Sequence, residues 1–338
     1  MDKKKIAYII DEKGWALENV AINIKKNADN YLIDIIPGNV FEGNMLQLFL
    51  ICQEYDLIHF GWRGYLSLID REAMRYYSET ELLTPLDDLI KEKVLNKKVS
   101  FAVCDELYLE GEEKWRTEEI MKYSKNYFVS SKRLQKIYNE FACKPTTIIH
   151  DGVDLEKYKP TNLNRLSETK KLIVGWAGNS EYKDSFGNTD LKGVHNIIKP
   201  AIEQLQAEGY DVDLKMADSK NNRIKQSDMP DFYNSVDLYV CASKSEGTPL
   251  TVLEAMAMGL PVISTDVGIV SEAFGKKQSK YILEERTAEC LKQNIKKLIE
   301  NKNELVELSN ENLTSIKKWD WKIIAKDYEK FFEDVINN

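Results

Sequence analysis

Short apolar runs alternate with longer amphipathic segments along the first half of the chain. The runs have the length of strands and lie at 5–10, 32–36, 55–60, 99–103, 127–130 and 145–149. A helical stretch at 16–26 separates the first two runs. Continuous apolar strands separated by helical spacers are typical of a parallel sheet with helices on both faces. The pattern therefore predicts an α/β fold with a doubly wound sheet.

A polar stretch at 151–168 interrupts this alternation and has the composition of a linker. The same rhythm restarts behind it, with predicted strands at 171–177, 213–217, 236–241 and 262–264 and a helical tail from 288 to the end. We therefore predict two Rossmann-like domains with a cleft between them. They comprise residues 1–165 and 166–318, and a C-terminal helix at 319–338 follows.

Composition narrows the class of protein. At 338 residues the chain can build two full cores, and its 43% hydrophobic and 30% charged residues are those of a soluble globular protein. A net charge of −8 argues against nucleic acid as the principal partner. The apolar run behind the first lysines is too short for a signal peptide or a membrane span. Five scattered cysteines indicate a cytoplasmic protein, and three distant histidines argue against a zinc site.

Residues 243–268 carry the most specific chemistry. A turn of small residues leads into a helix that is predicted to begin at Pro249 and to end at Gly259. Glu246 lies in the turn and Glu254 lies about a turn and a half inside the helix, so both carboxylates can reach one ligand. The free N–H groups at the helix start favour phosphate. Carboxylates for hydroxyl groups and amides for phosphate together predict a sugar-nucleotide pocket.

The two glutamates and their surroundings resemble the Glu-x7-Glu signature of retaining GT-B glycosyltransferases of family 4. The resemblance includes Glu-Gly-Thr-Pro-Leu at 246–250, Leu-Glu-Ala-Met-Ala-Met-Gly-Leu-Pro-Val at 253–262 and Thr-Asp-Val-Gly at 265–268. His-Asp-Gly-Val-Asp at 150–154, followed by Tyr-Lys-Pro, is similar to the family's linker. The resemblance implies a donor bound by the second domain, an acceptor bound by the first, and a last helix that crosses back to the first domain.

In the resembled family Glu246 would hold the transferred sugar and Glu254 would bind the ribose. The residues expected around the donor are Gly178, Asn179, Lys192, Glu246, Gly247, Thr248, Leu250, Thr251 and Glu254. Lys192 stands at the start of a helix predicted from 194 to 205, where a cation opposes the helix dipole unless an anion is bound. It matches the family's diphosphate-binding Lys-Gly. The usual second cation is missing, with Lys183 as a candidate, and Lys192 as a solvated surface lysine is the alternative.

The first domain offers a weaker set of candidates at the ends of its strands. Asp105 follows Cys104 where many family members have His-Asp, and it is a candidate for the catalytic set beside Glu246 and Lys192. Trp62 and Arg63 follow another strand, and Trp15 lies where the family has its Gly-rich first loop. Trp15, Trp62, Arg63 and Asp105 are therefore our candidates for acceptor binding. Ordinary loop residues are the alternative for Arg63 and Asp105.

The expected reaction is transfer, with retention, of a hexose or N-acetylhexosamine from a UDP-sugar to a saccharide hydroxyl. By resemblance the setting is bacterial surface polysaccharide synthesis, of the O-antigen or lipopolysaccharide type, with a lipid-linked acceptor at the cytoplasmic membrane face. No metal and no cofactor are expected, since Lys192 and the helix dipole supply positive charge. A nucleotide-sugar epimerase of the same architecture and a non-catalytic nucleotide-sugar-binding subunit are the alternatives. The candidate membrane surface comprises 96–98 and 122–136, where basic residues interleave with Tyr123, Tyr127 and the adjacent Tyr138, and an ordinary solvated face is the alternative.

Overall fold

A computed structural model describes residues 3–41, 44–66, 98–106, 109, 117, 120–121, 123–124, 126–182 and 190–337. The chain divides into two compact units. Unit 1 comprises Met1–Asp151 and Trp321–Asn338, and unit 2 comprises Gly152–Asp320. The first border lies ahead of the predicted border at 165. The reason is that the segment behind Asp151 packs within unit 2, where Arg165 forms an ion pair with Asp237 at 2.9 Å.

Unit 1 is built on a parallel sheet. Its strands are β1 (Lys4–Ile10), β2 (Tyr31–Pro37), β3 (Leu57–Phe60), β4 (Val99–Val103), β5 (Asn126–Val129) and β6 (Thr147–Ile148). They lie in the order β2-β1-β3-β4-β5-β6. The order reverses direction between β1 and β3, and such a switch point opens a crevice at the carboxyl ends of the strands.

Helices and short 3₁₀ turns join these strands. The helices whose full extent lies within the described residues are α1 (Ala16–Asn27), α2 (Met45–Ile51) and α3 (Lys132–Tyr138), with 3₁₀ turns at Gly38–Phe41, Cys52–Glu54 and Arg63–Tyr65. The C-terminal helix, Trp321–Asn337, belongs to the same unit. It buries Tyr328, Phe331 and Phe332, whose spacing of three and four residues places them on one face. Its Glu329 accepts a hydrogen bond from the Asn30 N–H at 2.8 Å.

Unit 2 has a second parallel sheet. Its strands are β7 (Leu172–Gly178), β8 (Val212–Asp218), β9 (Leu238–Cys241) and β10 (Val262–Ser264), in the order β10-β9-β7-β8. The helices are α4 (Arg165–Glu168), α5 (Lys199–Ala207), α6 (Met229–Asn234), α7 (Leu250–Ala257), α8 (Val270–Ala273), α9 (Ala288–Glu300) and α10 (Lys302–Ser315), with 3₁₀ turns at Gln278–Tyr281 and Ile316–Trp319. Its switch point lies between β7 and β9.

The predicted continuous helix at 194–205 is wrong in its first turns. A π-helical turn, Val194–Ile198, precedes α5. Pro200 has no N–H for the α-helical bond to Asn196, and the turn widens so that the Ile198 N–H reaches the Gly193 carbonyl oxygen at 2.9 Å.

The proposed membrane surface also needs correction. Tyr127 and Tyr138 are fully buried in the core of unit 1 and therefore cannot contact lipid. Lys132 and Lys136 on α3 remain exposed, whereas Asn96, Lys97 and Lys122 lie outside the described residues. Within the described ranges, every helix is too short or too polar to cross a lipid bilayer.

Candidate functional site

Three loops meet at the carboxyl edge of the unit 2 sheet. They follow β7 at Gly178, precede the π-helical turn at 190–193, and follow β9 at 242–249. This edge is the switch point between β7 and β9, where open α/β sheets place their ligands. The donor residues predicted from the sequence lie on these loops and on α7.

The 190–193 loop is fixed from both sides. The Asp190 carboxylate accepts the N–H groups of His195 at 3.0 Å and Asn196 at 2.7 Å. Arg286 donates to the carbonyl oxygens of Ala242 at 2.9 Å and Asp190 at 3.0 Å, which ties the loop to the end of β9. Gly193 has φ +71°, and a Cβ there would lie 2.5 Å from the Ala242 oxygen. The loop therefore holds Lys192 in a fixed position, although Asp190 already occupies helix N–H groups that could have bound phosphate.

Lys192 and Glu246, predicted as partners in one site, are in direct contact. The Lys192 Nζ lies 2.5 Å from Glu246 Oε1, and the Ser243 hydroxyl donates to the same oxygen at 2.6 Å. The side chains are 21% and 19% exposed, so each keeps an open side. The Lys192 ammonium also lies 5.3 Å from the ring centre of Tyr182. An ammonium has three donors, so Lys192 can keep Glu246 and bind an anion as well.

The turn at 246–249 leads into α7, which begins at Leu250, one residue later than predicted, with Pro249 at the N-cap position. The first N–H groups of a helix have no acceptor within it. The Leu250 N–H, however, donates to the Thr248 carbonyl oxygen at 2.8 Å, so the expectation that it is free for phosphate is wrong. Among the described residues the buried Thr248 hydroxyl oxygen has no hydrogen-bond partner. A polar atom of this kind beside a helix start is available to a ligand.

Glu254 lies inside α7 and is only 6% exposed. Its Oε1 accepts the Tyr158 hydroxyl at 2.7 Å and the Gln226 amide at 3.4 Å, and its Oε2 accepts the Tyr233 hydroxyl at 2.8 Å. Burial raises the pKa of Glu254, and the hydrogen bonds from the two tyrosines oppose that rise. Sequence reasoning did not anticipate these partners. The signal it had was Tyr158 itself, which it took only as part of the linker.

The loop behind β7 contains the remaining donor candidates. Gly178 has φ +157°, and a Cβ there would lie 2.9 Å from the Trp176 ring. The Asn179 side chain accepts the Glu181 N–H at 3.1 Å and so shapes the turn. The Asp218 carboxylate at the end of β8 accepts the Ser180 hydroxyl at 2.6 Å. Lys183, the candidate second cation, lies outside the described residues.

In unit 1 the structure brings three acceptor candidates together. The Asp105 carboxylate accepts Arg63 Nη1 at 2.7 Å and Trp62 Nε1 at 3.0 Å. Arg63 is only 1% exposed, so its charge supports Asp105 within the unit. His59 is fully buried between aromatic rings, and burial lowers its pKa to about 3, so it is uncharged. Trp15 precedes α1 and is 60% exposed.

Asp11, at the carboxyl end of β1, is a residue that sequence reasoning missed. Its Oδ1 is buried and has no hydrogen-bond partner among the described residues. Burial raises the pKa of this carboxyl. Its backbone oxygen accepts the Asn39 N–H at 3.2 Å and the Tyr65 hydroxyl at 3.1 Å. The available signal was a carboxylate directly behind a buried strand, at what proves to be the switch point of the sheet.

The whole chain is similar to a solved structure of known fold. A crystal structure of Anabaena Alr3699/HepE in complex with UDP and glucose superposes with a TM-score of 0.70, covering 98% of this chain and 100% of that one at 15% identity. Together with the two parallel sheets, this decides the architecture. The fold is GT-B.

Sequence comparison relates this GT-B chain to glycosyltransferases. Residues 221–314 match the family model described as Glycosyl transferases group 1, and this segment contains Glu246 and Glu254. The chain is 31% identical over 152 residues to the lipopolysaccharide core biosynthesis mannosyltransferase LpsB of Rhizobium meliloti, which is 38% of this chain and 42% of that protein. The chain spans about half or less of the length of the curated relatives it matches first.

The name of another relative includes an acceptor. The chain is 28% identical over 113 residues to the N,N'-diacetylbacillosaminyl-diphospho-undecaprenol alpha-1,3-N-acetylgalactosaminyltransferase of Campylobacter jejuni, which is 33% of this chain and 30% of that protein. In the part of this GT-B chain that the structure describes, no cluster of three or more His, Cys, Asp or Glu side chains is placed to hold a metal ion.

Proposed function

We propose that this GT-B protein is a retaining glycosyltransferase. It would move a hexose or N-acetylhexosamine from a UDP-sugar to a hydroxyl of a saccharide acceptor. The observation that carries the proposal is the contact between Lys192 and Glu246 at the switch point of unit 2, beside the start of α7. A cation and a carboxylate at this edge suit the two halves of a nucleotide sugar, its diphosphate and its hydroxyl groups.

Each donor residue receives a role from its position. Lys192 binds the diphosphate while it keeps its bond to Glu246, and the N–H groups of Gly247 and Thr251 beside the start of α7 add partial positive charge. Glu246 accepts hydrogen bonds from hydroxyl groups of the transferred sugar. The Thr248 hydroxyl, Gly178 and the Asn179 turn line the same edge. UDP as the nucleotide is supported by the HepE complex, which contains UDP and glucose.

Transfer with retention requires one bond to form on the face from which the other leaves. The bond between the anomeric carbon and the diphosphate oxygen breaks, and the acceptor oxygen bonds to the same face of that carbon. The acceptor proton passes to the leaving diphosphate, so no protein base is required. Lys192 stabilises the negative charge that develops on the leaving group. Because this positive field is built into the protein, we propose that no divalent metal and no cofactor take part.

The acceptor is proposed to be a lipid-linked saccharide bound by unit 1, in surface polysaccharide synthesis at the cytoplasmic membrane face. The Campylobacter relative is named for a diphospho-undecaprenol acceptor and the Rhizobium relative for lipopolysaccharide core synthesis.

Asp105, oriented by Trp62 and Arg63, would bind an acceptor hydroxyl, and the exposed Trp15 would stack on a sugar ring. The exposed Lys132 and Lys136 would contribute to peripheral contact with an anionic leaflet.

The test is a transfer assay with a panel of UDP-, GDP- and ADP-sugars and lipid-linked saccharides, with and without anionic vesicles and EDTA. Proton NMR of the product should show the anomeric configuration of the sugar donor, and EDTA should not lower the rate. Inversion would overturn the retaining assignment, and activity restored by added metal would reveal an ion site. Epimerisation of the nucleotide sugar without acceptor would favour the epimerase, and nucleotide binding without turnover would favour a binding subunit.

The variant that tests the site is Lys192→Ala. Loss of a group that stabilises the leaving diphosphate should lower kcat by about 10²–10³-fold, by analogy with lost oxyanion donors. The matched control is Lys171→Ala, because Lys171 also pairs with a carboxylate. Its Nζ lies 2.6 Å from Asp213 Oδ2, and Lys171 directly precedes β7 of the same sheet. The control should keep its kcat within about twofold. Equal losses in the two variants would contradict the assignment of Lys192.

A further inference from the structure

The Glu254 carboxylate is surrounded by three donors from three different segments. Tyr158 comes from the segment behind the unit border, Gln226 from the loop behind β8, and Tyr233 from α6. The two phenol rings are buried and stand 6.0 Å apart, nearly perpendicular to each other. Gln226 is exposed, and its bond to Glu254 is the longest of the three at 3.4 Å, while the same amide donates to the Tyr158 hydroxyl at 3.0 Å. Of the three donors, the two tyrosines are therefore buried and Gln226 is the exposed one.

The phenols act as permanent donors. Burial raises the pKa of Tyr158 and of Tyr233 well above the usual value, and Glu254 raises both further, so both hydroxyls keep their protons. A carboxylate oxygen has two lone pairs. Tyr158 occupies one on Oε1 and Tyr233 occupies one on Oε2. Once the Gln226 amide moves away from Oε1 and from the Tyr158 hydroxyl, one lone pair on each carboxylate oxygen is left, and this matches two adjacent hydroxyl donors.

We propose that Tyr158 and Tyr233 are positioning residues that aim both Glu254 oxygens at a vicinal diol, the 2′,3′-diol of a ribonucleotide, and that the diol displaces Gln226. The inference rests on the proposed function, because it requires a nucleotide at this edge. The assignment of Glu254 to ribose comes from the resemblance to family 4. The role of the tyrosines comes from the geometry, and Tyr158 stands where the resembled linker has a phenylalanine, which has no hydroxyl to donate.

The consequence is a preference for ribose over deoxyribose that depends on the tyrosine hydroxyls. Without the Tyr158 hydroxyl, Oε1 keeps only the long bond from Gln226, and once the diol displaces Gln226 no protein donor orients this buried oxygen. The carboxylate can then turn away from the diol, while the phenyl ring still fills the same space. A merely structural role of Tyr158 would change stability or all nucleotide affinities together, but it would not change the ratio between ribo and deoxy ligands.

Calorimetry with UDP, GDP and ADP and their 2′-deoxy forms tests this in the full chain. The wild type should bind the ribo form of its nucleotide about 10–100-fold more tightly than the deoxy form. Tyr158→Phe and Tyr233→Phe should each reduce this ratio by about tenfold and leave the affinity for the deoxy form unchanged. Tyr210→Phe is the matched control, since the Tyr210 hydroxyl donates to Glu300 at 2.8 Å on the exposed surface. It should leave the ratio unchanged.

Each outcome has one meaning. An unchanged ratio in both tyrosine variants, with nucleotide still bound, would overturn the inference and leave the proposed function standing. A wild type that binds none of the nucleotides would overturn both. Gln226→Ala should bind the ribo form as tightly as the wild type or more tightly, because a competitor for the diol is removed. A weaker ribo affinity in that variant would overturn the displacement of Gln226.

Discussion

At the scale of single residues, the two units each retain polar atoms that the fold does not use. In unit 1 the buried Asp11 Oδ1 has no partner among the described residues, and in unit 2 the same holds for the Thr248 hydroxyl. A buried carboxylate oxygen without a hydrogen bond lowers the stability of a fold, even where backbone N–H groups bind the same carboxyl group, as at Asp11. Positions of this kind are where a protein gives up stability for binding, because a ligand hydroxyl can complete the hydrogen bonds.

Asp11→Asn should therefore stabilise the fold and weaken the acceptor step. Burial raises the pKa of Asp11 in the folded state. Its contribution to stability is thus fully present below about pH 4, the usual value for an unfolded aspartate, and is lost as the pH rises through the folded-state pKa. At pH 7 the variant should have a higher Tm, by on the order of 2 °C, and near pH 4 the difference should shrink.

Thermal unfolding across that pH range measures the effect, and the transfer assay measures KM for the acceptor. Asp34→Asn serves as the control, since Asp34 is an exposed carboxylate that accepts the Tyr55 hydroxyl at 2.9 Å. A Tm difference for Asp11→Asn that is independent of pH would show that ionisation of Asp11 does not cause it. An unchanged acceptor KM would remove Asp11 from the acceptor site.

At the scale of elements, the turn that bears Glu246 depends on the loop below it. Gly268 has φ +53°, and a Cβ there would overlap the carbonyl oxygen of Gly247. The Thr265 hydroxyl donates to the Ser243 carbonyl oxygen at 2.7 Å, which ties the same two loops together. The loop behind β10 therefore supports the loop behind β9, and Glu246 keeps its place beside Lys192 through backbone packing.

Gly268→Ala should consequently both destabilise unit 2 and displace the turn. The matched control is Gly209→Ala, because Gly209 also has a positive φ, +89°, but no atom lies within 4 Å of a Cβ placed there. The free energy of unfolding of the control should fall by only about 1–2 kcal/mol, which is the cost of a left-handed backbone at a residue other than glycine. The free energy of unfolding of Gly268→Ala should fall by about 3 kcal/mol or more, because the steric overlap adds to the backbone cost. Urea unfolding gives both values, and similar losses would contradict the role of Gly268.

The sequence predicted the strands because each is a continuous apolar run, and Val99–Val103 and Val262–Ser264 have the observed bounds. It also assigned Lys192 and Glu246 to one donor site, but their direct contact was found only in the structure. It did not predict the π-helical turn, which depends on Pro200 and on a carboxylate that folds back from Asp190. Nor did it predict the bond between Tyr158 and Glu254, which are 96 residues apart. Such long-range partners are fixed by packing and have no local pattern.

At the scale of the whole molecule, each unit has its own hydrophobic core, and the C-terminal helix packs against the core of unit 1. Phe332 on the C-terminal helix lies 5.2 Å from the His59 ring and 5.9 Å from the Tyr31 ring, between ring centres. The donor residues, by contrast, lie wholly in unit 2. A substitution that disrupts the C-terminal helix should therefore destabilise unit 1, which contains the proposed acceptor residues, and leave the donor site in unit 2 unaffected.

Phe332→Ala tests this division. Removal of a fully buried phenylalanine leaves a cavity and should cost unit 1 about 3–5 kcal/mol. The matched control is Ile323→Ala on the same helix, where the side chain is 51% exposed and the cost should stay within about 0.5 kcal/mol. Hydrogen exchange should rise in β1, β3 and β4 and stay unchanged in β7 and β9, because local opening follows cooperative units. Nucleotide affinity should be unchanged. Exchange that rises equally in both sheets would show that the two cores unfold as one unit, and the separation argued from their packing would be wrong.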